Sequence, residues 1–140
     1  ICNSFKQEIL EAEHNFTAST GNTFKLALYT SSATLGASTT AYSSSNEITN
    51  TSGTAYTAGG KALTSVTPTL DSSTAVCDFA DVSWTSASFT ARGCLIYNDS
   101  HSTDASVCAI DFGGDKTATS GTFTIQFPAA AATTAIVRIA

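Results

Sequence analysis

Two carboxylates, Asp111 and Asp115, flank a Phe-Gly-Gly sequence in the stretch DFGGDKT. An Asp-Phe-Gly sequence holds magnesium in protein kinases, but a kinase also needs a glycine-rich phosphate loop, a strand lysine and a His-Arg-Asp loop. The sequence has none of these, and a divalent cation shared by Asp111 and Asp115 would lack the alternating acids of a calcium loop. We therefore interpret the stretch as a hairpin, in which residues 106–112 and 122–127 form strands and Gly113-Gly114 supplies the turn.

A second glycine pair lies in GTAYTAGGKA, residues 53–62, which partly matches a phosphate-binding loop. That motif requires a glycine where this chain has Ala55, and a serine or threonine where it has Ala62. The glycine opens the anion cradle and the hydroxyl holds magnesium, so both departures remove chemistry. The pattern instead predicts a turn at Gly59-Gly60 that leads into a strand.

Acid–base and nucleophilic chemistry would have to use two histidines, His14 and His101, because the chain has no others. We expect His14 on the polar edge of a predicted N-terminal helix and His101 in a loop. No G-x-S-x-G nucleophile elbow accompanies them. For glycoside hydrolysis the carboxylate pair would be Asp78 and Asp81, or Asp111 with a distant partner. We interpret these acids as solvated strand edges, and we expect no catalytic, cofactor-binding or metal-binding residues and no enzyme activity.

The four cysteines, Cys2, Cys77, Cys94 and Cys108, include no closely spaced pair. If residues 98–104 form a loop centred on His101, Cys94 falls opposite Cys108 across the hairpin. A disulfide there is one alternative, and free buried thiols are the other. Zinc bound by Cys94, Cys108 and His101 would lack the two close ligand pairs typical of tetrahedral sites.

Composition narrows the range of partners. The net charge is −5 with six lysines and arginines, which argues against nucleic acid and anionic membranes. The 19 serines and 24 threonines indicate a hydroxyl-rich, β-forming chain. No apolar run reaches the roughly 18 residues of a membrane span, and no export signal is visible. Sequons at Asn15, Asn50 and Asn98 are expected by chance in such a chain.

The N-terminal residues carry the one helical pattern. It predicts a helix over residues 3–16, with Ser4 and Gln7 spaced as a capping box. Four apolar residues share one stripe of that helix: Phe5, Ile9, Ala12 and Phe16.

After residue 22 the hydrophobic period changes from 3.6 to 2. Residues 23–30 form the first predicted strand, and residues 31–56 form a long Ser/Thr-rich excursion with one short strand at 47–49. Turn residues then separate the other predicted strands, which are 61–67 (ended by Pro68), 75–79, 82–90, 92–98, 106–112, 122–127 (ended by Pro128) and 134–139. Short strands without crossover helices predict a single domain, residues 1–140, of the antiparallel β-sandwich or barrel-like class.

Several stretches, in their order, resemble a group of small structural proteins encoded by tailed bacteriophages. They are ICNSFKQEIL, FKLALYTSSATLGASTTAY, YTAGGKAL, ARGCLIYN and DFGGDKTATSGTFTIQFP. The resemblance implies a virion protein assembled in the bacterial cytoplasm. For this acidic, β-rich chain we expect a capsid decoration or cement protein that binds the major capsid protein or another virion protein, as a homo-oligomer and preferably a trimer.

Two alternatives stay open at this stage. The first is a tail or baseplate component of the same virion. The second is a carbohydrate-binding β-sandwich, which would need exposed aromatic platforms from Trp84 and the tyrosines Tyr29, Tyr42, Tyr56 and Tyr97. We interpret Trp84 as a core residue. We also expect the N-terminal segment and residues 31–56 to become ordered on neighbouring subunits.

Overall fold

Two antiparallel sheets and one short helix make up the part of the chain that the computed structural model describes, residues 1–49 and 55–140. This confirms the predicted fold class. The elements, in chain order, are α1 Asn3–Leu10, β1 Phe24–Tyr29, β2 Lys61–Ala62, β3 Ser65–Asp71, β4 Thr74–Phe79, β5 Val82–Asn98, β6 Ala105–Ile125 and β7 Val137–Ile139.

The large sheet has the strand order β2-β1-β5-β6, and the small sheet has the order β3-β4-β7. The two sheets share one hydrophobic core. Phe24 of the large sheet lies 5.8 Å from Phe79 of the small sheet, measured between ring centroids, and Phe16 stacks on Phe24 at 4.3 Å. These rings connect the N-terminal segment, residues 1–23, to both sheets.

The strands β5 and β6 are longer than predicted, and the hairpin predicted at Gly113-Gly114 is wrong. Gly93 pairs with Asp111 while Ala91 pairs with Lys116, so residues 112–115 oppose Arg92 alone. Gly113 has a φ of +75° at this place. A bulge accepts a glycine in this conformation as readily as a turn does, so the composition could not distinguish the two.

The β5–β6 ribbon is strongly bent. Phe112 and Phe123 belong to the same strand, and 11 extended residues would span roughly 36 Å. Their ring centroids nevertheless lie 6.3 Å apart. Further register shifts occur around Ala87, and Ser120 has a positive φ, which are the features that bend a sheet. The bend gives the end of the ribbon a concave face.

The N-terminal helix is shorter than predicted. It ends at Leu10 rather than at residue 16, and Ala12 has a φ of +62°, which no helix continues through. Phe5 and Phe16 are both buried nonetheless, because the chain turns back and packs them against each other, with ring centroids 6.0 Å apart. The apolar spacing identified Phe5 and Phe16 correctly as buried, but Ile9 is only half-buried and Ala12 is exposed, because the helix ends before Ala12.

The predicted capping box does not form. The helix begins after Cys2, without a side-chain cap, and Gln7 donates to Glu11 at 2.8 Å instead of reaching back to the helix start. The backbone N–H of Cys2 donates to the carbonyl oxygen of Val107 at 2.9 Å. This main-chain bond fixes the start of the helix on the edge of β6.

The long excursion packs against its own chain. Within residues 31–49 and 55–56, Ile48 and Tyr56 are buried in the core, and Ala41 forms a bridge with Ala105. Residues 47–49 form a single bridge through Glu47 rather than a strand. These contacts lie within one chain, and the ordering of this segment on neighbouring subunits stays a prediction. Residues 50–54 lie outside the described structure.

Other strand boundaries also differ from the prediction, most of them by one or two residues. Residues 61–67 divide between β2 and β3, and β3 continues past Pro68 to Asp71. The register of β3 shifts between Val66 and Thr69, and a bulge on an edge strand is where a proline is tolerated. At the C-terminus, β7 begins at Val137 rather than at residue 134.

Candidate functional site

Both carboxylates of DFGGDKT, Asp111 and Asp115, act on the Arg92 guanidinium and raise its pKa, Asp111 through a hydrogen bond and Asp115 through its charge. Asp111 Oδ1 accepts hydrogen bonds from Arg92 Nε at 2.9 Å and from the Gly113 backbone N–H at 2.8 Å. The bond from Arg92, and then the one from Gly113, lowers the pKa of Asp111. No group of three or more His, Cys, Asp or Glu side chains in residues 1–49 and 55–140 is placed to hold a metal ion.

The other predicted acids have separate surroundings. Asp81 Oδ1 accepts a hydrogen bond from the Phe127 backbone N–H at 2.8 Å, which holds the chain just after β6. Asp78 lies half-buried on β4, and its Oδ1 has no hydrogen-bond partner within the described ranges. The Asp81 carboxylate therefore has a structural role, as a hydrogen-bond acceptor for the backbone.

Lys61, the lysine of the phosphate-loop candidate, is also used within the fold. Its ammonium group donates to the carbonyl oxygen of Ser83 and lies 5.4 Å from the centroid of the Trp84 ring. Gly60 before it has a φ of +74°, and a Cβ there would lie 1.8 Å from the Leu26 carbonyl oxygen. The glycine pair thus permits a close approach to β1, and the lysine covers an aromatic ring.

The cysteines are all free and all buried. Cys94 pairs with Ile110 and Cys108 pairs with Ile96, so the two cysteines are not opposite each other as the centred loop predicted. The register shifts between Ile96 and Tyr97, and this displaces the predicted pairing. Burial raises the pKa of Cys94, and it raises the pKa values of Cys77 and Cys108 to about 12.

The two histidines lie close together at the base of the N-terminal segment, a proximity that the sequence did not indicate, and His101 lies in a loop as predicted. His14 is buried rather than on a polar helix edge, and its Nε2 lies 2.9 Å from Glu8 Oε2. His101 Nε2 lies 3.5 Å from Glu13 Oε2, and the two imidazole centroids are 6.4 Å apart. Asn98, whose sequon was noted above, is fully buried and donates from Nδ2 to the carbonyl oxygen of Glu13. These contacts dock the segment on the β5–β6 loop.

A buried carboxylate, Glu47, organises the long excursion. Its Oε1 accepts hydrogen bonds from the Tyr56 hydroxyl at 2.5 Å and the Gly59 N–H at 2.8 Å, and its Oε2 accepts one from the Tyr42 hydroxyl at 2.7 Å. Burial, followed by the hydrogen bond to Glu47, raises the pKa values of Tyr42 and Tyr56. Nothing in the sequence indicated this cluster, because it joins residues from separate turns.

The aromatic residues named for a glycan platform are mainly inside the protein. Trp84 is 1% exposed, as predicted for a core residue, and Tyr29 and Tyr97 are also buried. The Tyr29 hydroxyl donates to the carbonyl oxygen of Ser43, and the Tyr97 hydroxyl donates to that of Gly59. Their rings and hydroxyls are engaged within the chain.

The small sheet, in contrast, exposes apolar side chains. Leu70 pairs with Ala75, and Ala75 pairs with Ile139, so the three side chains form one row on one face. Leu70 is 72% exposed and Ile139 is 58% exposed. We call these three residues the exposed apolar row. Sequence reasoning missed it, because alternation predicts a strand face without saying whether another element covers it.

A cavity of about 440 Å³ continues from this row between α1 and the small sheet. Ala75 and Ile139 line it together with Phe5, Ile9 and Cys77. The row is therefore the open end of the face that the small sheet turns toward the core. It is the candidate contact surface of the molecule.

The comparisons with known proteins do not identify a relative. No family model, no curated protein and no solved structure matches the chain. None of the helices in the described ranges is long and apolar enough to span a bilayer.

Proposed function

We propose that this protein is a structural component of a tailed-bacteriophage virion, a capsid decoration protein that binds the assembled shell and stabilises it. The observation that supports this most is the exposed apolar row of Leu70, Ala75 and Ile139 on the small sheet. Single exposed apolar residues are ordinary on protein surfaces, whereas adjacent ones that continue into a groove are typical of contact surfaces.

The surroundings of the row fit a protein partner. The chain is acidic and rich in hydroxyls, and its four cysteines and the Glu47 carboxylate are held inside the fold. The part that we assign to the partner is the small apolar surface of the exposed apolar row. A shell offers the same contact many times, so a surface of modest area gives firm attachment when copies are linked. A homo-oligomer, with a trimer as the favoured form, would provide that linkage.

The resemblance of the ordered stretches to small structural proteins of tailed phages supports the same proposal. In this proposal the protein binds the major capsid protein or another virion protein, and it is located in the virion. No catalytic step is assigned to any residue.

Immunogold electron microscopy tests the proposal on particles of the phage whose genome encodes this protein. An antibody against the purified protein should place gold on the icosahedral heads, and antibody first absorbed with that protein should place none. Gold confined to tails would assign the chain to the tail or baseplate. Particles without gold, with the protein also missing from their mass spectrum, would refute a virion role.

A further inference from the structure

The concave face of the bent β5–β6 ribbon lines an open apolar cavity that is separate from the exposed apolar row. Its volume is about 570 Å³, within the range of roughly 300 to 1,000 Å³ typical of small-molecule sites. Its wall is formed by half-buried or buried apolar side chains, which include Ile110, Phe112, Phe123, Ile125, Phe127 and Ile136.

The residues that line this cavity carry little charge. Among the described residues that line it, Lys116 is the one with a charge, and the other polar residues there are threonines and Gln126. Lys116 forms no ion pair within residues 1–49 and 55–140. The nearest arginine along the ribbon, Arg92, is bound to Asp111 and lies outside the lining. The cavity therefore combines an apolar interior with a single cation.

We propose that this cavity binds a small apolar molecule that carries one anionic group, such as a medium-chain carboxylate. The apolar part lies among the phenylalanine and isoleucine side chains, and the anion lies beside the Lys116 ammonium group. Charge complementarity selects this class, because a cationic or doubly charged ligand would find no matching group in the lining.

Three magnitudes set the expected ligand affinity. Burial of apolar area, at about 25 cal/mol per Å², supplies most of the affinity. Lys116 is exposed, and an exposed ion pair changes binding by a factor of roughly two to five. The net charge of −5 opposes an anion weakly, because charges beyond about 10 Å are screened at 0.1 M salt.

The test uses two fluorescent probes with nearly the same aromatic body. They are 8-anilinonaphthalene-1-sulfonate, which is anionic, and N-phenyl-1-naphthylamine, which is neutral. Both should bind the wild-type protein, and dodecanoate should displace both. Lys116→Gln should weaken the sulfonate probe two- to fivefold and leave the affinity for the neutral probe unchanged. Ala118→Phe, which places a ring in the cavity, should abolish the binding of both probes.

Thr119→Phe is the matched control, because Thr119 adjoins Ala118 and is not among the residues that line the cavity. It adds the same ring and should leave both affinities intact. Circular dichroism checks that each variant is folded, and Lys116→Gln, a change of an exposed side chain, keeps the test decisive if Ala118→Phe does not fold. Absent probe binding, or equal binding by Ala118→Phe and wild type, overturns the site. An equal effect of Lys116→Gln on both probes overturns the anionic class of ligand.

Discussion

The interior of the large sheet and the outer end of the small sheet differ in how completely the chain buries its own apolar side chains. In the large sheet, β1 lies between β2 and β5, and Phe24, Leu26 and Leu28 have no exposed surface. In the small sheet, Leu70 and Ile139 keep more than half of their surface exposed. The first region holds the molecule together, and the second has apolar surface left to bury against something else.

The largest contrast should come from the same substitution made in the two regions. Leu28→Ala removes a fully buried side chain and should lower the free energy of unfolding by about 3 kcal/mol. Leu70→Ala, at a side chain 72% exposed, should change it by less than about 0.5 kcal/mol. Urea unfolding with unchanged slopes measures both values. Equal losses would mean that the two leucines have similar surroundings.

Glu47 tests whether polar groups in the interior are as important as apolar ones. Glu47→Ala removes the acceptor of two tyrosine hydroxyls and one backbone N–H and should cost about 3 kcal/mol. Glu47→Gln keeps one acceptor oxygen and should cost less. Glu11→Ala, at an exposed residue that directly follows α1, is the control and should be nearly neutral. Unfolding that is unaffected by Glu47→Ala would contradict the assignment of the cluster as a structural support.

Cysteine labelling compares the local opening of the two sheets. Cys77 lies in the small sheet and Cys94 in the large sheet, and burial raises the pKa of both thiols. A thiol with a pKa near 12 is ionised in roughly one molecule in ten thousand at pH 8, so labelling of the folded protein should be slow. Cys77 should react before Cys94, because a thinly covered region opens more readily.

Alkylation followed by mass spectrometry gives the order of labelling, and denaturant without reductant should release four thiols. Earlier labelling of Cys94, or a loss of two thiols to a disulfide, would contradict this description.

The smallest effect is expected at the exposed pair Arg92 and Asp111. Arg92 lowers the pKa of Asp111 in the folded protein. The stabilisation is therefore present above the ordinary pKa of an aspartate and is lost as the pH falls through the lowered value. Arg92→Gln should raise the pKa of Asp111 toward the ordinary value in an NMR titration. An unchanged titration would show that the ion pair does not form in solution.

The sequence predicted the fold class because side-chain alternation and turn residues are local features. It misjudged Gly113-Gly114, since glycine permits a bulge and a hairpin equally well and the pairing with Arg92 is a tertiary property. It placed His14 on the polar edge of a helix because its contacts with Glu8 and Asn98 appear only after the chain folds back. Whether another element covers a strand face also depends on contacts between distant parts of the chain. Side-chain alternation therefore could not predict the exposure of Leu70 or the cavity beside Lys116.

The central claim is that the exposed apolar row attaches the protein to the virion, and incorporation of variants into particles tests it most directly. Leu70→Asp should reduce the copies per particle about tenfold or more, as expected for a contact worth at least 1.4 kcal/mol. Thr69→Asp is the matched control, because Thr69 is exposed on the same strand and pairs with Val76, so its side chain lies on the face away from the row. It should be incorporated like the wild type. Equal incorporation of both folded variants would contradict the claim.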